Sequence, residues 1–570
     1  MRIKIVENLT LFFILLIVLA LIYMQTIKGE YYYNQSVNNR IRVVPVEGPR
    51  GQIFDRNGLV LAENHVVYHV AVIAQDLDDT DSLFNFLSSV LKKDPSFLKK
   101  QFHRKRKTPF DPVILAQDVD PKIIFAVEES RFLYPGLIVE KAYKRNYPFA
   151  DIDAHAVGYV GKIDVNEADV LGEYGYSPLS DVGKMGVERT YDSVLRGDSG
   201  GRQIEINSRG QEVRLLGFKE PTKGKDIQLT IDERIQSAAN QLLDSRPGAV
   251  VVMDLSNGEL LSLVSSPTFN PNAFMDKNQQ DKILSYIRDP KSLLLNRVVA
   301  GRYPPGSVFK IPVALAAVEL NKITTDLTFE CPGYYMLGKA KFGCAHTHGS
   351  ENLNEAIAHS CNVYFFHIGQ LVTARVIQQY AKAFGLGRET GVDLPFEVSG
   401  QVLGGARPGH PWYKGNTLNL SIGQGDTLTT PLQLTVMMAA VANDGIIFRP
   451  RIVKSVDHSE LPNTDISRLP VVRLHDSTWR IVQEGLRSVV TDKEGTAHEL
   501  NDLAGMTIYG KTGTAQAGGN KANHAWFVGY VRSSKNNLAF SVFLENGGSS
   551  ANAVAIARQL LIQMQSQGIL

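Results

Sequence analysis

Ser307 and Lys310 stand three residues apart in the stretch GRYPPGSVFKIPVALAAVEL, and together they could supply a nucleophile and its base. Pro304, Pro305 and Gly306 force a turn, and Ile311, Ala314, Leu315 and Val318 then recur at helical spacing on one apolar face. Ser307 therefore falls at or near a helix N-terminus, where ordinary capping would account for its hydroxyl. Capping does not account for Lys310. A cation in the first turn opposes the positive end of the helix dipole. The same field favours a neutral amine, which can take a proton from a neighbouring hydroxyl. The spacing recurs at Ser96 and Lys99 in DPSFLKKQFHRKRK, where the flanking Lys and Arg read as a solvated charged helix and the match as chance.

Two further motifs follow in the chain. AIAHSCNVYFF carries Ser360, Cys361 and Asn362, a hydroxyl and an amide on a helical or near-helical segment that could also be a polar turn. YGKTGTAQ carries Lys511, Thr512, Gly513 and Thr514 on an apparent strand. Gly513 has no side chain, so a substrate could approach that backbone and pair with it as an added strand, although a strand edge with a solvated lysine would look the same.

The elements that must position these residues make up a chain of 570 residues, long enough for two or more domains. Lys plus Arg number 60 and Asp plus Glu 58, a formal net charge of +2, so overall charge implies no nucleic-acid partner. Arg2 and Lys4 precede an apolar run from about Leu9 to Met24, which with its apolar edges approaches the roughly 20 residues that span a bilayer. No small-x-small cleavage site follows, and the run reads as an uncleaved signal anchor over 9–27. A short tail, 1–8, then stays in the cytoplasm and the rest lies outside, by the positive-inside rule. Residues 28–221 mix strand-like and charged helical pieces and offer no catalytic constellation. From 222 to 570 the pattern is strand, helix, strand, strand, a helical block, strands and a last helix, an α+β arrangement in which helices from both ends cover a sheet.

Ser-x-x-Lys, Ser-x-Asn and Lys-Thr-Gly, in this order, form the motif set of penicillin-binding proteins and serine β-lactamases. The chain resembles a class B penicillin-binding protein, and most closely the elongation-type penicillin-binding protein 2 group. RGQIFDRNGLVLAEN from Arg50, KRNYPFADIDAHAVGYVG from Lys144 and GKMGVERTYDSVLRGDSGG from Gly183 are similar to the family's pedestal domain. LTIDERIQ from Leu229 and SIGQG at Ser421 look like its transpeptidase domain, and no glycosyltransferase-like domain precedes the pedestal. The resemblance implies a transmembrane helix, an elongated non-catalytic pedestal and a transpeptidase domain with an antiparallel sheet and a helical subdomain, held at the inner membrane by a single span.

By this resemblance Ser307 attacks the penultimate D-alanine carbonyl of a stem peptide, and Lys310 takes its proton. Ser360 relays a proton to the leaving amine with help from Lys511, and Asn362 holds Lys310 and the substrate amide. The N–H groups of Ser307 and Thr514 form the oxyanion hole, and the Thr512 and Thr514 hydroxyls bind the substrate carboxylate. β-Lactams would be trapped at the same serine. Implied partners are peptidoglycan stem peptides, a SEDS-type membrane glycan polymerase and other elongation-complex proteins. A carboxypeptidase or β-lactamase is the rival within the class; Glu460 and Asn463 supply a Glu-x-x-Asn, but far past Ser-x-Asn in a loop-like stretch. A non-catalytic scaffold that activates the polymerase is the rival from another class.

Only three cysteines occur, Cys331, Cys344 and Cys361, all between the serine motif and the end of Ser-x-Asn. With His348 they make a Cys3His set suited to a structural tetrahedral Zn2+, with His346 as the alternative nitrogen ligand. A Cys331 to Cys344 disulfide, as an oxidising envelope would favour, and free thiols are the other readings. Some relatives in the resembled group carry a metal site in this region. The acyl transfer itself requires no cofactor.

Overall fold

The computed structural model describes residues 2–33, 41–77, 79–106, 112–174, 176, 180–206, 212–460 and 472–570. The chain forms two compact units. The first comprises Met1–Gly51, Asn64–Lys144 and Arg196–Gly224; the second comprises Gln52–Glu63, Arg145–Leu195 and Lys225–Leu570.

The first unit begins with the helix Arg2–Ile22, continued by a π-helical turn Tyr23–Ile27. The span Ile3–Ile27 is 25 residues, apolar and exposed throughout, and is long enough to cross a membrane. Ile41–Val46, Gly200–Ile206 and Glu212–Lys219 form a three-stranded antiparallel sheet. A separate small core gathers Val70 and Val72 with Val113 and Leu115 from Pro112–Ala116, under the helices Thr80–Leu91 and Pro95–Lys105. Asp79 and Asp94 cap those helices. Ser96 and Lys99 lie on the second helix, Ser96 exposed and bonded to Asp94, Lys99 paired with Asp81. The repeat of the Ser-x-x-Lys spacing is thus occupied by surface acids.

The second unit runs in chain order through α1 (Glu233–Leu243), β1 (Gly248–Asp254), β2 (Leu260–Ser266), α2 (Lys310–Glu319), β3 (Tyr334–Leu337) and β4 (Ala340–Gly343). It continues through α3 (Asn362–Val372), α4 (Pro431–Ala442), α5 (Asp476–Thr491), β5 (Met506–Ala515), β6 (His524–Ser533), β7 (Asn537–Leu544) and α6 (Ser550–Ser566). Its main sheet has the order β2-β1-β7-β6-β5, antiparallel throughout. Consecutive residues of β1, β2 and β6 are buried, which requires cover on both faces. The terminal helices α1 and α6 pack on the sheet, as the chain order suggested, and α4 packs against β1, β6 and β7. α4 is buried on all sides and starts with a capping box of Thr430 and Gln433 around Pro431.

A single cut near residue 221 does not describe this unit. Ile53–Phe54 pairs in parallel with Ile227–Leu229, which pairs antiparallel with Val453–Val456. Val157, Val187 and Leu195 enter the same core as Val250 and Leu263. A buried ion pair of Arg145 Nε and Glu188 Oε1, 2.7 Å apart, lies in the same early segment. Early-chain residues therefore build part of a second sheet and part of the core, a contact invisible to local composition. Glu460 ends a short exposed strand, Ser459–Glu460, while Leu461–Asn463 fall outside the described residues.

Candidate active site

Ser307 lies in a single 3-10 turn, Gly306–Phe309, that runs directly into α2. Ser307 is partly exposed and its hydroxyl caps nothing. Gly306 has φ +55°, and a Cβ there would sit 2.9 Å from the Thr514 carbonyl. Gly423, in the SIGQG element, has φ +67°, and a Cβ on it would come within 2.3 Å of the Gly306 carbonyl. The Ser307 turn is thus clasped between the end of β5 and the Gly423 backbone, whose carbonyl accepts from the Gly306 N–H at 3.0 Å. Gly513 belongs to this clasp: its missing side chain makes room for Pro305 and Val308. β5 is also the edge strand of the main sheet, the position from which an added strand could pair with its backbone.

Lys310 opens α2 and is buried. Its Nζ donates to the Ser360 carbonyl at 2.7 Å, to Ser360 Oγ at 3.3 Å and to Asn362 Oδ1 at 2.8 Å. Burial holds its pKa down to about 8, against the opposing pull of the cysteines and Glu351. The amine is therefore aimed at the Ser-x-Asn motif, and no hydrogen bond joins it to Ser307. Ser360 has φ +60°, a left-handed conformation rare outside glycine. Asn362 starts α3 and donates from Nδ2 to the Gly343 carbonyl at 3.1 Å, at the end of β4.

Lys511, on β5, is fully buried, and its Nζ donates to the Thr512 carbonyl at 3.3 Å. Burial and then the nearby Lys310 push its pKa well down. Thr512 is also buried, and its hydroxyl donates to Thr496 Oγ1 at 2.8 Å. Thr514 is exposed.

Cys331 ends the strand Phe329–Cys331, Cys344 follows β4, and Cys361 immediately precedes α3. The ligand atoms of Cys331, Cys344, His348 and Cys361 all lie within 4.8 Å of one another. His348 Nδ1 is 3.4 Å from Cys331 Sγ and 3.6 Å from Cys344 Sγ. Zinc bonds of about 2.3 Å to sulfur and about 2.0 Å to nitrogen, at a tetrahedral angle, set sulfur and nitrogen about 3.5 Å apart. The four residues fit such an ion. The three cysteines are unbridged. Cys344 is held far below the usual thiol range by the Cys361 thiol that donates to it, then by the backbone N–H groups of Asn362 and Val363. That hydrogen bond and then burial raise Cys361 in turn. His346 stands outside the four.

Residues 248–562 match the family model of the penicillin binding protein transpeptidase domain, and residues 45–229 that of the penicillin-binding protein dimerisation domain. The chain belongs to the class B penicillin-binding proteins. This penicillin-binding protein is 31% identical over 573 residues to the peptidoglycan D,D-transpeptidase MrdA of Escherichia coli K12, spanning 94% of this chain and 90% of the relative. It is 32% identical over 571 residues to MrdA of Acinetobacter baumannii, spanning 94% and 83%. Among solved structures, Helicobacter pylori PBP2 in complex with MreC matches with a TM-score of 0.81 at 27% identity, over 93% of this chain and 99% of that one. Pseudomonas aeruginosa PBP2 in complex with WCK 5153 matches with a TM-score of 0.71 at 30% identity, over 92% and 96%.

In this penicillin-binding protein all three motifs meet at the start of α2, and sequence reasoning missed what surrounds them. Thr496 lies on a loop after α5 and carries no motif. Glu351 Oε1 lies 2.6 Å from Nδ1 of His359, the residue before Ser360, and neither stood out in the sequence. Gly423 did carry a signal, as part of SIGQG, without pointing to the Ser307 turn.

Proposed function

We propose that this chain is a peptidoglycan D,D-transpeptidase of cell elongation that crosslinks stem peptides through a serine acyl-enzyme. What most supports the reading is Lys310, buried and held by both side chains of the Ser-x-Asn motif three residues after the partly exposed Ser307. Ser307 Oγ bonds to the carbonyl carbon of the penultimate D-alanine, and its proton passes to a neutral Lys310. The N–H groups of Ser307 and Thr514 stabilise the oxyanion. The peptide C–N bond breaks as Ser360 hands a proton to the leaving D-alanine amine, and Lys310 through its contact with Ser360 is the source of that proton. An amine of a second stem peptide then attacks the ester and frees Ser307. Thr514 meets the substrate carboxylate, and Thr512 joins it when its hydroxyl turns from Thr496. A β-lactam, whose ring opening releases no leaving group, stays on Ser307.

Cys331, Cys344, His348 and Cys361 hold a structural Zn2+ in this reading. When bound, the ion supplies only crosslinking of the loops. Cys344 Sγ accepts from the Asn362 N–H at 3.1 Å, so fixing the cysteines fixes the residue that holds Lys310.

In this reading Arg2 and Lys4 stay in the cytoplasm by the positive-inside rule, and the chain after the apolar span lies outside. Partners are a SEDS-type glycan polymerase and other elongation proteins. Support comes from the solved complex of Helicobacter pylori PBP2 with MreC and from the fold shared with a peptidoglycan synthase complex, matched over 99% of this chain.

Incubation with a pentapeptide-bearing glycan polymer tests the activity. A crosslinked dimer with released D-alanine is expected; release of D-alanine with only uncrosslinked tetrapeptide would make the enzyme a carboxypeptidase.

A further inference from the structure

The loop after α5 is built tightly. The Asp492 N–H donates to the Ser488 carbonyl at 3.0 Å, the Glu494 N–H to Asp492 Oδ1 at 2.8 Å and the Gly495 N–H to the Asp492 carbonyl at 3.0 Å. A Cβ on Gly495 would lie 2.5 Å from the Val489 carbonyl, so only glycine fits there. This turn delivers Thr496 to the gap between two catalytic motifs. Its N–H and its hydroxyl both donate to the Ala358 carbonyl, at 3.2 Å and 3.3 Å, two residues before Ser360. Its Oγ1 accepts from the Thr512 hydroxyl at 2.8 Å.

Two consequences follow from these bonds. The left-handed Ser360 sits in a sparsely populated conformation that persists only where its surroundings hold it. Lys310 holds Ser360 from one side, and Thr496 holds the segment before it from the other. The second consequence concerns protons. Each hydroxyl has one to give. When the Thr512 proton turns to a substrate carboxylate, Thr496 can turn its own proton from Ala358 to Thr512 Oγ1, and the Ala358 carbonyl keeps the Thr496 N–H. No acceptor is stranded by the change.

We propose that Thr496 is a positioning residue of the acyl-transfer site, joining the Lys511–Thr514 strand to the Ser360 turn and backing the Thr512 hydroxyl as it donates to the substrate's terminal carboxylate. The inference rests on the transpeptidase reading.

The test uses the full chain in detergent, with penicillin V and its methyl ester as probes and Thr496→Val and Thr496→Ser as variants. Saturation kinetics separate initial binding from acylation at Ser307. Thr496→Val is expected to weaken initial binding of the acid by about tenfold while the ester changes far less, and Thr496→Ser to restore wild-type behaviour. Equal losses for acid and ester, or no loss, overturn the role. If the wild type itself is not acylated at Ser307, the transpeptidase reading fails and this one with it. Wild-type acylation with an unaffected Thr496→Val overturns this one alone.

Discussion

Nζ of Lys310 and Oδ1 of Asn362 are 2.8 Å apart, so the amine proposed as the base of acylation is oriented by the Ser-x-Asn motif and not by Ser307. Asn362 brings no opposite charge to the amine, and burial holds the pKa to about 8.

Acylation by penicillin is expected to rise with pH through a midpoint near 8, as Lys310 loses its proton. Asn362→Asp places an opposite charge on the amine, which favours the ammonium form and moves that midpoint upward. Stopped-flow acylation rates across pH measure it. An unmoved midpoint in Asn362→Asp would remove Lys310 from the base role.

Lys310→Arg keeps the charge but offers no readily available lone pair. Acylation should fall by at least about a hundredfold, the lower bound for a lost general base, while thermal unfolding stays near that of the wild type. Normal acylation by this variant would move the base role elsewhere.

His155 supplies a stability prediction. It is buried, its Nε2 lies 2.9 Å from the Leu293 carbonyl, and burial lowers its pKa to about 4. The unfolded chain takes up this proton near pH 6.5 and the folded chain does not until near pH 4, so stability falls as pH drops through that window. Denaturant unfolding should show the advantage of wild type over His155→Gln shrinking by about 2 kcal/mol between pH 7 and pH 5. A constant difference would mean that His155 takes up its proton at the same pH in the folded chain as in the unfolded one.

The three motifs were legible because each is local: a turn into a helix, a turn between helices, and one strand. Lys310 stood out by its sign at a helix start, and the cysteines and His348 by type alone. Less legible was anything that depends on residues distant in the chain. The direction of the Lys310 amine depends on Asn362, 52 positions on. Gly513 read as a backbone open to substrate, and its packing against Pro305 and Val308 on the Cβ side was not legible. The early segments Gln52–Glu63 and Arg145–Leu195 join the second unit through a parallel strand pair and a shared core, which no change of composition announces.

Zinc is tested by elemental analysis of protein purified without added metal, where close to one zinc per chain is expected. Cys344→Ser or His348→Ala should lower thermal stability and penicillin acylation together, because Cys344 accepts from the Asn362 N–H. No zinc, with two thiols recoverable only by reductant, would establish a disulfide instead.

The most direct test of the serine acyl-enzyme is mass spectrometry of the full chain after exposure to penicillin. A single adduct on the peptide carrying Ser307, absent in Ser307→Ala, is the expected result; an adduct at Ser96, or one that persists in Ser307→Ala, would contradict it.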